Sequence, residues 1–211
     1  STVFMGVPTY YVRLLADSAF DRKLCASVRL FISGSAPLLA ETFASFAERS
    51  GHTILERYGM SETAMLTSNP YEGVRKSGTV GKPLPGVSVR VVRSDGQACT
   101  VNETGDIQVR GPNVFAGYWQ LPEKTRETID ADGWLHTGDV GTMDAHGYVR
   151  ITDRLKDMYI SGGFNVYPAE VEKLLSNHPA VGMVAVVGIA DERMGEVGKA
   201  YVVLRPGAVA T

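Results

Sequence analysis

The feature that most constrains this chain is an alternation of two hydrophobic periods near its start. Apolar residues at helical spacing in PTYYVRLLADSAF, residues 8–20, predict a helix, and SVRLFISGSAP, residues 27–37, predicts a short buried strand running into a glycine-serine turn. LLAETFASFAERSG, residues 38–51, reads as the next helix with Gly51 as its stop, and HTILERYG, residues 52–59, as a further strand. Helices alternating with strands are the pattern of a parallel sheet with covering helices, and such sheets gather ligands beyond the carboxyl ends of their strands. Two successive strands therefore deliver two glycine turns, GSAP at 34–37 and YGMSE at 58–62, to one rim.

From Thr79 the texture changes. Residues 79–119 are rich in β-branched side chains, alternation, and glycine and proline turns, which predicts a compact, barrel-like β unit; a further pair of strands flanks DAHG at 144–147. DRLKD, residues 153–157, precedes a second style of module. There PAEVEKLLSNHP, residues 168–179, is an amphipathic helix with Pro168 in its first turn, followed by the strands AVGMVAVVGIA and GKAYVVLRP. The expected organisation is a large α/β unit over 1–153 and the beginning of a small α+β unit over 154–211. No internal repeat or low-complexity tract interrupts it.

Charge and cysteine usage narrow the function classes. The formal charge of −2 arises from 21 basic and 23 acidic side chains that are well interspersed, so nothing grips a nucleic acid or an anionic membrane electrostatically, and a bound nucleotide would be small. Cys25 and Cys99 lie far apart without CxxC spacing, which argues for free thiols in a reducing, cytoplasmic setting rather than a metal site or disulfide framework. The longest apolar runs, such as VGMVAVVGIA at 181–190, are glycine-interrupted and too short to span a bilayer. The chain opens on STVFMGVPTYY without an initiator methionine and stops at RPGAVAT just after a predicted strand, so the expectation is a piece of a longer polypeptide.

Several short stretches combine residue types that chemistry needs. ERYGMSET, residues 56–63, sets an aromatic ring, a flexible joint, a hydroxyl and an acid side by side. The bland alternative is a strand ending at Tyr58, a turn at Gly59 and Ser61 capping a short helix. The functional one is a ring stacked on a base, with Ser61 and Glu62 handling phosphate and its metal, since hard carboxylate oxygen is what Mg²⁺ accepts beside substrate phosphates. GSAP turns are ubiquitous, but their exposed amides suit adenine edges or phosphate oxygens. GWLHTGD, residues 133–139, reads as a strand end whose Asp139 is either a turn residue or an acceptor for both ribose hydroxyls. Arg154 is a fork donor able to reach sugar or phosphate oxygens, or else one half of a surface ion pair.

The ordered series GSAP, YGMSET, TGD, DRLKD and SGGFNVYPAEVE resembles the acyl-adenylate-forming superfamily over essentially the whole chain. That resemblance implies that Tyr58 stacks on adenine, with Gly59 beside it, and that Gly34, Ser35 and Ala36 line the adenine and acyl pocket. It further implies that Ser61 contacts phosphate, Glu62 holds Mg²⁺, and Asp139 and Arg154 bind ribose. Lys156 falls where the family places the hinge of a swivelling small domain, and Gly162 and Gly163 where its loop faces the pantetheine tunnel. The implied substrates are a small carboxylic acid, ATP and coenzyme A, with an acyl-AMP intermediate.

Two parts expected from the resemblance are missing: an upstream Ser/Thr/Gly-rich phosphate loop ending in lysine, and a downstream glycine-lysine segment whose lysine drives adenylation. Lys199 leads straight into a predicted strand and does not match that segment, so this stretch by itself is expected to be a poor or inactive adenylating enzyme. The first half resembles malonyl-CoA synthetases, whereas RLKDMYISGGFNVYPAEVE is equally at home in fatty-acid and aromatic-acid CoA ligases. A dicarboxylate needs a cation for its far carboxylate, and Arg13, next to the VPTYY segment with Tyr10, is the candidate, with Met60 as a further acyl contact. Transfer to a carrier-protein thiol and a non-catalytic nucleotide-binding role are the alternatives.

Overall fold

The computed structural model describes residues 2–209. Its first sheet grows from three parallel strands, β1 (Val3–Gly6), β2 (Leu30–Ser33) and β3 (Leu55–Met60), in register Val3 to Leu30 and Ile32 to Leu55. β4 (Ala64–Ser68) folds back antiparallel on β3, and β5 (Lys82–Pro83) completes the order β1-β2-β3-β4-β5. Helix α1 (Pro8–Ala16) starts with Pro8, whose φ is preset for a helix, and buries Tyr11. The single helix expected over 8–20 divides, because Asp17 and Asp21 turn their carboxylates onto the amides of Ala19 and Leu24. Asp21 thereby caps α2 (Arg22–Cys25), a use of short acidic side chains that competes with helix continuation. Helix α3 (Ala40–Ser50) ends as the sequence predicts, on a left-handed Gly51 with φ 76°.

These helices close over an aromatic core of Tyr11, Phe20, Phe31 and Phe46 with Cys25, Leu38 and Ile54. Tyr11 and Phe46 meet edge to face at 5.2 Å, and the Tyr11 hydroxyl donates to the Ile32 carbonyl at 2.5 Å, so the buried phenol is satisfied. The Arg49 guanidinium donates to the carbonyls of Leu15, Asp17 and Phe20, tying α3 to the end of α1 and the turn that follows it.

The predicted β unit takes the form of a four-stranded sheet, β6 (Ser88–Val92), β7 (Gly105–Arg110), β8 (Leu135–Met143) and β9 (Val149–Arg154), in that order, with α4 (Pro122–Thr128) between β7 and β8. One face supplies Ile107, Val109, Leu135 and Val149 to a second core that Leu66 of β4 completes. The strands flanking 144–147 are β8 and β9, and Asp144 organises their turn by accepting from the amides of His146 and Tyr148.

The chain separates into two compact units: residues up to Thr137 with Thr142–Ile151, and Gly138–Gly141 with Thr152 onward. In the second unit β10 (Tyr159–Ser161), β11 (Phe164–Val166), β12 (Val181–Asp191) and β13 (Gly195–Leu204) form an antiparallel sheet of order β11-β10-β13-β12, with α5 (Pro168–Ser176) packed on β12. Gly188 and Gly198 face each other across β12 and β13, and a methyl on either would overlap the side chain of Tyr159. The two glycines thus form a socket that buries that ring to 6% exposure. Among the described residues no helix is long and apolar enough to cross a membrane. Residues 1, 210 and 211, on which the expectation about the chain's ends falls, lie outside the described residues.

Candidate active site

The ERYGMSET stretch is built as a hairpin, not as a strand leading to a capped helix. β3 runs through Met60, the chain turns at 61–63, and β4 begins at Ala64, so Ser61 caps no helix. The reason is local: at Gly59 the Ala64 carbonyl approaches into space that a Cβ would fill, and the pairing register shifts there between Tyr58 and Gly59. Ser61 is exposed at the tip, and Glu62 is half-buried.

A second segment holds this turn in place. The Phe115 amide donates to the Glu62 carbonyl at 2.8 Å, and the Asn113 side-chain amide donates to the carbonyls of Thr63 at 2.7 Å and Met65 at 3.1 Å. The Tyr118 hydroxyl donates to Glu62 Oε1 at 2.9 Å. Sequence reasoning missed Asn113 and Tyr118, because GPNVFAGYW reads as β-unit turn texture and nothing in it signals partners 48 to 56 positions away.

β2 and β3 are neighbouring parallel strands with Ser33 opposite Glu56, so GSAP and YGMSE leave adjacent strand ends at the same edge, as the alternating pattern predicts. Ser35 adopts a left-handed φ of 67°, and a Cβ on Gly34 would lie 3.1 Å from the Arg57 carbonyl. Gly34 is half-buried, while Ser35 and Ala36 are exposed. Just behind this edge, Ser33 Oγ and Glu56 Oε1 are buried without a hydrogen-bond partner. Burial pushes the Glu56 carboxyl up to about 7, partly offset by a hydrogen bond from the Gly78 amide. Sequence reading gave Glu56 no role, since its burial depends on the sheet around it. Of the acyl-pocket candidates, Arg13 is exposed on α1, Tyr10 is half exposed, and Met60 packs against the second core.

In the second unit Asp139 and Arg154 come together, with Arg154 Nε 3.7 Å from Asp139 Oδ1. Asp139 does not end a strand as the sequence suggests; β8 continues to Met143, and the left-handed Gly138, φ 74°, accommodates the bend before it. The Asp139 side chain is 15% exposed and that of Arg154 62%, so the pair itself contributes little stability and leaves guanidinium donors accessible. Lys156 sits on a 3₁₀ turn, Leu155–Asp157. Asp153 spans this region, accepting from its neighbour Arg154 and, through Oδ2, from the Ala169 amide at 2.8 Å at the start of α5. Gly162 and Gly163 are the two left-handed residues of the turn joining β10 to β11, φ 57° and 87°, a conformation that glycine pairs satisfy in two-residue hairpins.

Among the described residues no group of three His, Cys, Asp or Glu side chains could hold a metal ion. Glu62 offers one oxygen beyond the one bound to Tyr118, a donor set that fits Mg²⁺, which takes one or two carboxylates and completes its shell with substrate phosphates and water.

The family model of AMP-binding enzymes matches residues 1–119, and that of the AMP-binding enzyme C-terminal domain matches residues 170–211. A 3-[(3aS,4S,7aS)-7a-methyl-1,5-dioxo-octahydro-1H-inden-4-yl]propanoyl:CoA ligase of Rhodococcus jostii is 48% identical, covering 98% of this chain and 39% of its own length. A feruloyl-CoA synthase of an Amycolatopsis species is 42% identical, covering 98% of this chain and 42% of its own. The crystal structure of ATP-bound MatB from Rhodopseudomonas palustris superposes with a TM-score of 0.97 at 49% identity, over all of this chain and 42% of that one. The chain therefore spans about two-fifths of the length of the relatives it matches. Matched by one family model over more than half its residues, and by that family's C-terminal model beyond them, this chain belongs to the AMP-binding enzymes.

Proposed function

We propose that the full-length protein is an ATP-dependent acid–CoA ligase that activates a small carboxylic acid as its acyl-adenylate and transfers the acyl group to coenzyme A. The single observation that carries this reading is that both family matches occur in order on one chain whose relatives are CoA ligases. In it Tyr58 stacks on adenine beside Gly59, the 34–36 turn lines the adenine and acyl pocket, and Ser61 contacts phosphate. Asp139 and Arg154 take the ribose, Asp139 by accepting from its hydroxyls and Arg154 by donating to its oxygens.

A carboxylate is a weak nucleophile and must approach an anionic α-phosphate, so the site has to neutralise charge as the bond forms. Mg²⁺ held by Glu62 supplies that neutralisation when bound. The small domain, 154–211, turns about Lys156 between the two half-reactions, and the Gly162–Gly163 turn then faces the pantetheine arm. A cytoplasmic setting accords with the free thiols. The 211 residues described by this sequence contain neither the phosphate loop nor the adenylating lysine segment of the family, so in isolation they are expected to be inactive.

Malonate or a related short acid is the favoured substrate. Support comes from the malonyl-CoA-synthetase character of the first half and from the likeness to MatB, with Arg13, Tyr10 and Met60 as acyl contacts. A second reading, a bulky ring-bearing acid, is favoured by the 48% identity to the Rhodococcus jostii ligase. The test is acid-dependent ATP–pyrophosphate exchange by the full-length protein across malonate, fatty, aromatic and ring-bearing propanoic acids, followed by CoA-dependent AMP release. Exchange with no acid in the panel would end the ligase reading. Exchange that CoA does not carry through to thioester would point to a carrier-protein acceptor.

A further inference from the structure

Glu62 sits on a turn, where a carboxylate has several rotamers within reach, and a metal ligand must be held in one of them to bind without an entropic penalty. Four hydrogen bonds reach the residues around it from one loop, 111–118: those from Phe115 and Asn113 fix the backbone, and that from Tyr118 fixes the carboxylate itself. The loop is in turn anchored. The Tyr118 amide donates to Thr125 Oγ1 at 2.9 Å, Thr125 Oγ1 donates to the Leu121 carbonyl at 3.0 Å, and the Phe115 and Tyr118 rings meet edge to face at 4.8 Å. Gly117, φ 139°, lets the chain pass against Thr125 in space that a Cβ would fill. The phenol thus has a fixed origin, and it occupies Oε1 only.

We propose that Tyr118 is a positioning residue for the divalent cation that accompanies ATP: by donating to Oε1 it locks the Glu62 carboxylate in one rotamer and reserves Oε2 for the metal. This rests on the reading of Glu62 as the Mg²⁺ carboxylate. The chemistry is that of an outer-shell partner. A neutral donor on one oxygen leaves the negative charge in place, so the carboxylate remains an attractive ligand while its orientation is no longer free.

The experiment is a Mn²⁺ titration of the full-length protein with a non-hydrolysable ATP analogue, free Mn²⁺ being read by electron paramagnetic resonance, a readout independent of turnover. Tyr118→Phe keeps the ring against Phe115 and removes only the hydroxyl, which meets the Thr128 side chain as well as Glu62, and it should weaken Mn²⁺ binding about tenfold, the lower end of the usual effect of losing an outer-shell partner. Glu62→Gln should weaken it further, and the double variant should bind no worse than Glu62→Gln. Glu62→Asp, which keeps the charge but withdraws it from the phenol and the metal alike, should lose at least as much as Tyr118→Phe and lose nothing more when the two are combined. Wild-type Mn²⁺ binding by Tyr118→Phe, or additive losses in either double variant, overturns the positioning role. Wild-type binding by Glu62→Gln instead overturns the metal assignment on which it rests.

Discussion

The turn at 61–63 and the segment at 153–157 both carry residues of the proposed ligase site, and they are held in opposite ways. The turn is gripped from a distance in sequence, by Asn113, Phe115 and Tyr118, and the adjoining Thr63 and Leu66 are fully buried. The segment is tied locally: Asp153 holds the amides of Arg154 and Ala169, and Arg154 extends over Asp139 with most of its side chain in solvent. Long-range hydrogen bonds in a packed environment fix side chains to within fractions of an ångström, which suits metal and phosphate chemistry. A few exposed bonds can be exchanged at little cost, which suits the hinge proposed there.

The largest expected effect breaks the second region while sparing the first. Gly188→Ala places a methyl against Cβ and Cγ of Tyr159, the root of a buried side chain that no rotamer change can move aside, so overpacking should destabilise this unit by about 3 kcal/mol. Hydrogen exchange should then accelerate for amides of β12 and β13 and stay unchanged in α3 and β3. Equal acceleration in both units would mean that they unfold together and that the contrast drawn above is not energetic.

Next in size is a pH effect confined to the first region. In the folded protein Glu56 retains its proton up to about 7, against an ordinary value of 4.5, so the stability this group contributes is complete below 4.5 and is lost as pH rises through 7. Glu56→Gln, neutral at every pH, should be more stable than the native chain by about 2–3 kcal/mol at pH 8, with the difference vanishing near pH 4.5. Denaturant unfolding at the two pH values measures it. A pH-independent difference would show that Glu56 is ionised in the folded state, and that the sheet behind the hairpin is less dry than its burial indicates.

The smallest effect sharpens the account of the joint. Asp153→Ala removes the acceptor from the first turn of α5 and should cost about 1 kcal/mol, as losing a helix-start acceptor does. Exchange should quicken in the first turn of α5 and not at 61–65. Unchanged exchange in α5 would show that Pro168 and the packing of the helix set its start without help.

Much of the fold was legible because it depends on neighbours in sequence. The helical spacing around Tyr11 and Phe46, the stop at Gly51, the proline starts of α1 and α5 and the turn at 144–147 all follow from local geometry. The errors are equally specific. Asp17 and Asp21 divided a helix that apolar spacing would have continued, and Gly138 let β8 run past Asp139; at Gly59 the Ala64 carbonyl settled on a hairpin and discarded the alternative of a helix capped by Ser61. In each case a backbone contact decided between conformations that the residues permit almost equally.

The order of short motifs, each a few residues long, was enough by itself to place this chain among adenylate-forming proteins and to nominate Tyr58, Glu62, Asp139 and Arg154, because the chemistry of phosphate, metal and sugar restricts which side chains can serve. Only the tertiary structure could show that Tyr118 reaches Glu62 or that Glu56 is buried beside Ser33. Those facts arise where the chain meets distant parts of itself, and burial and hydrogen-bond partnership are properties of that meeting and not of any stretch of sequence.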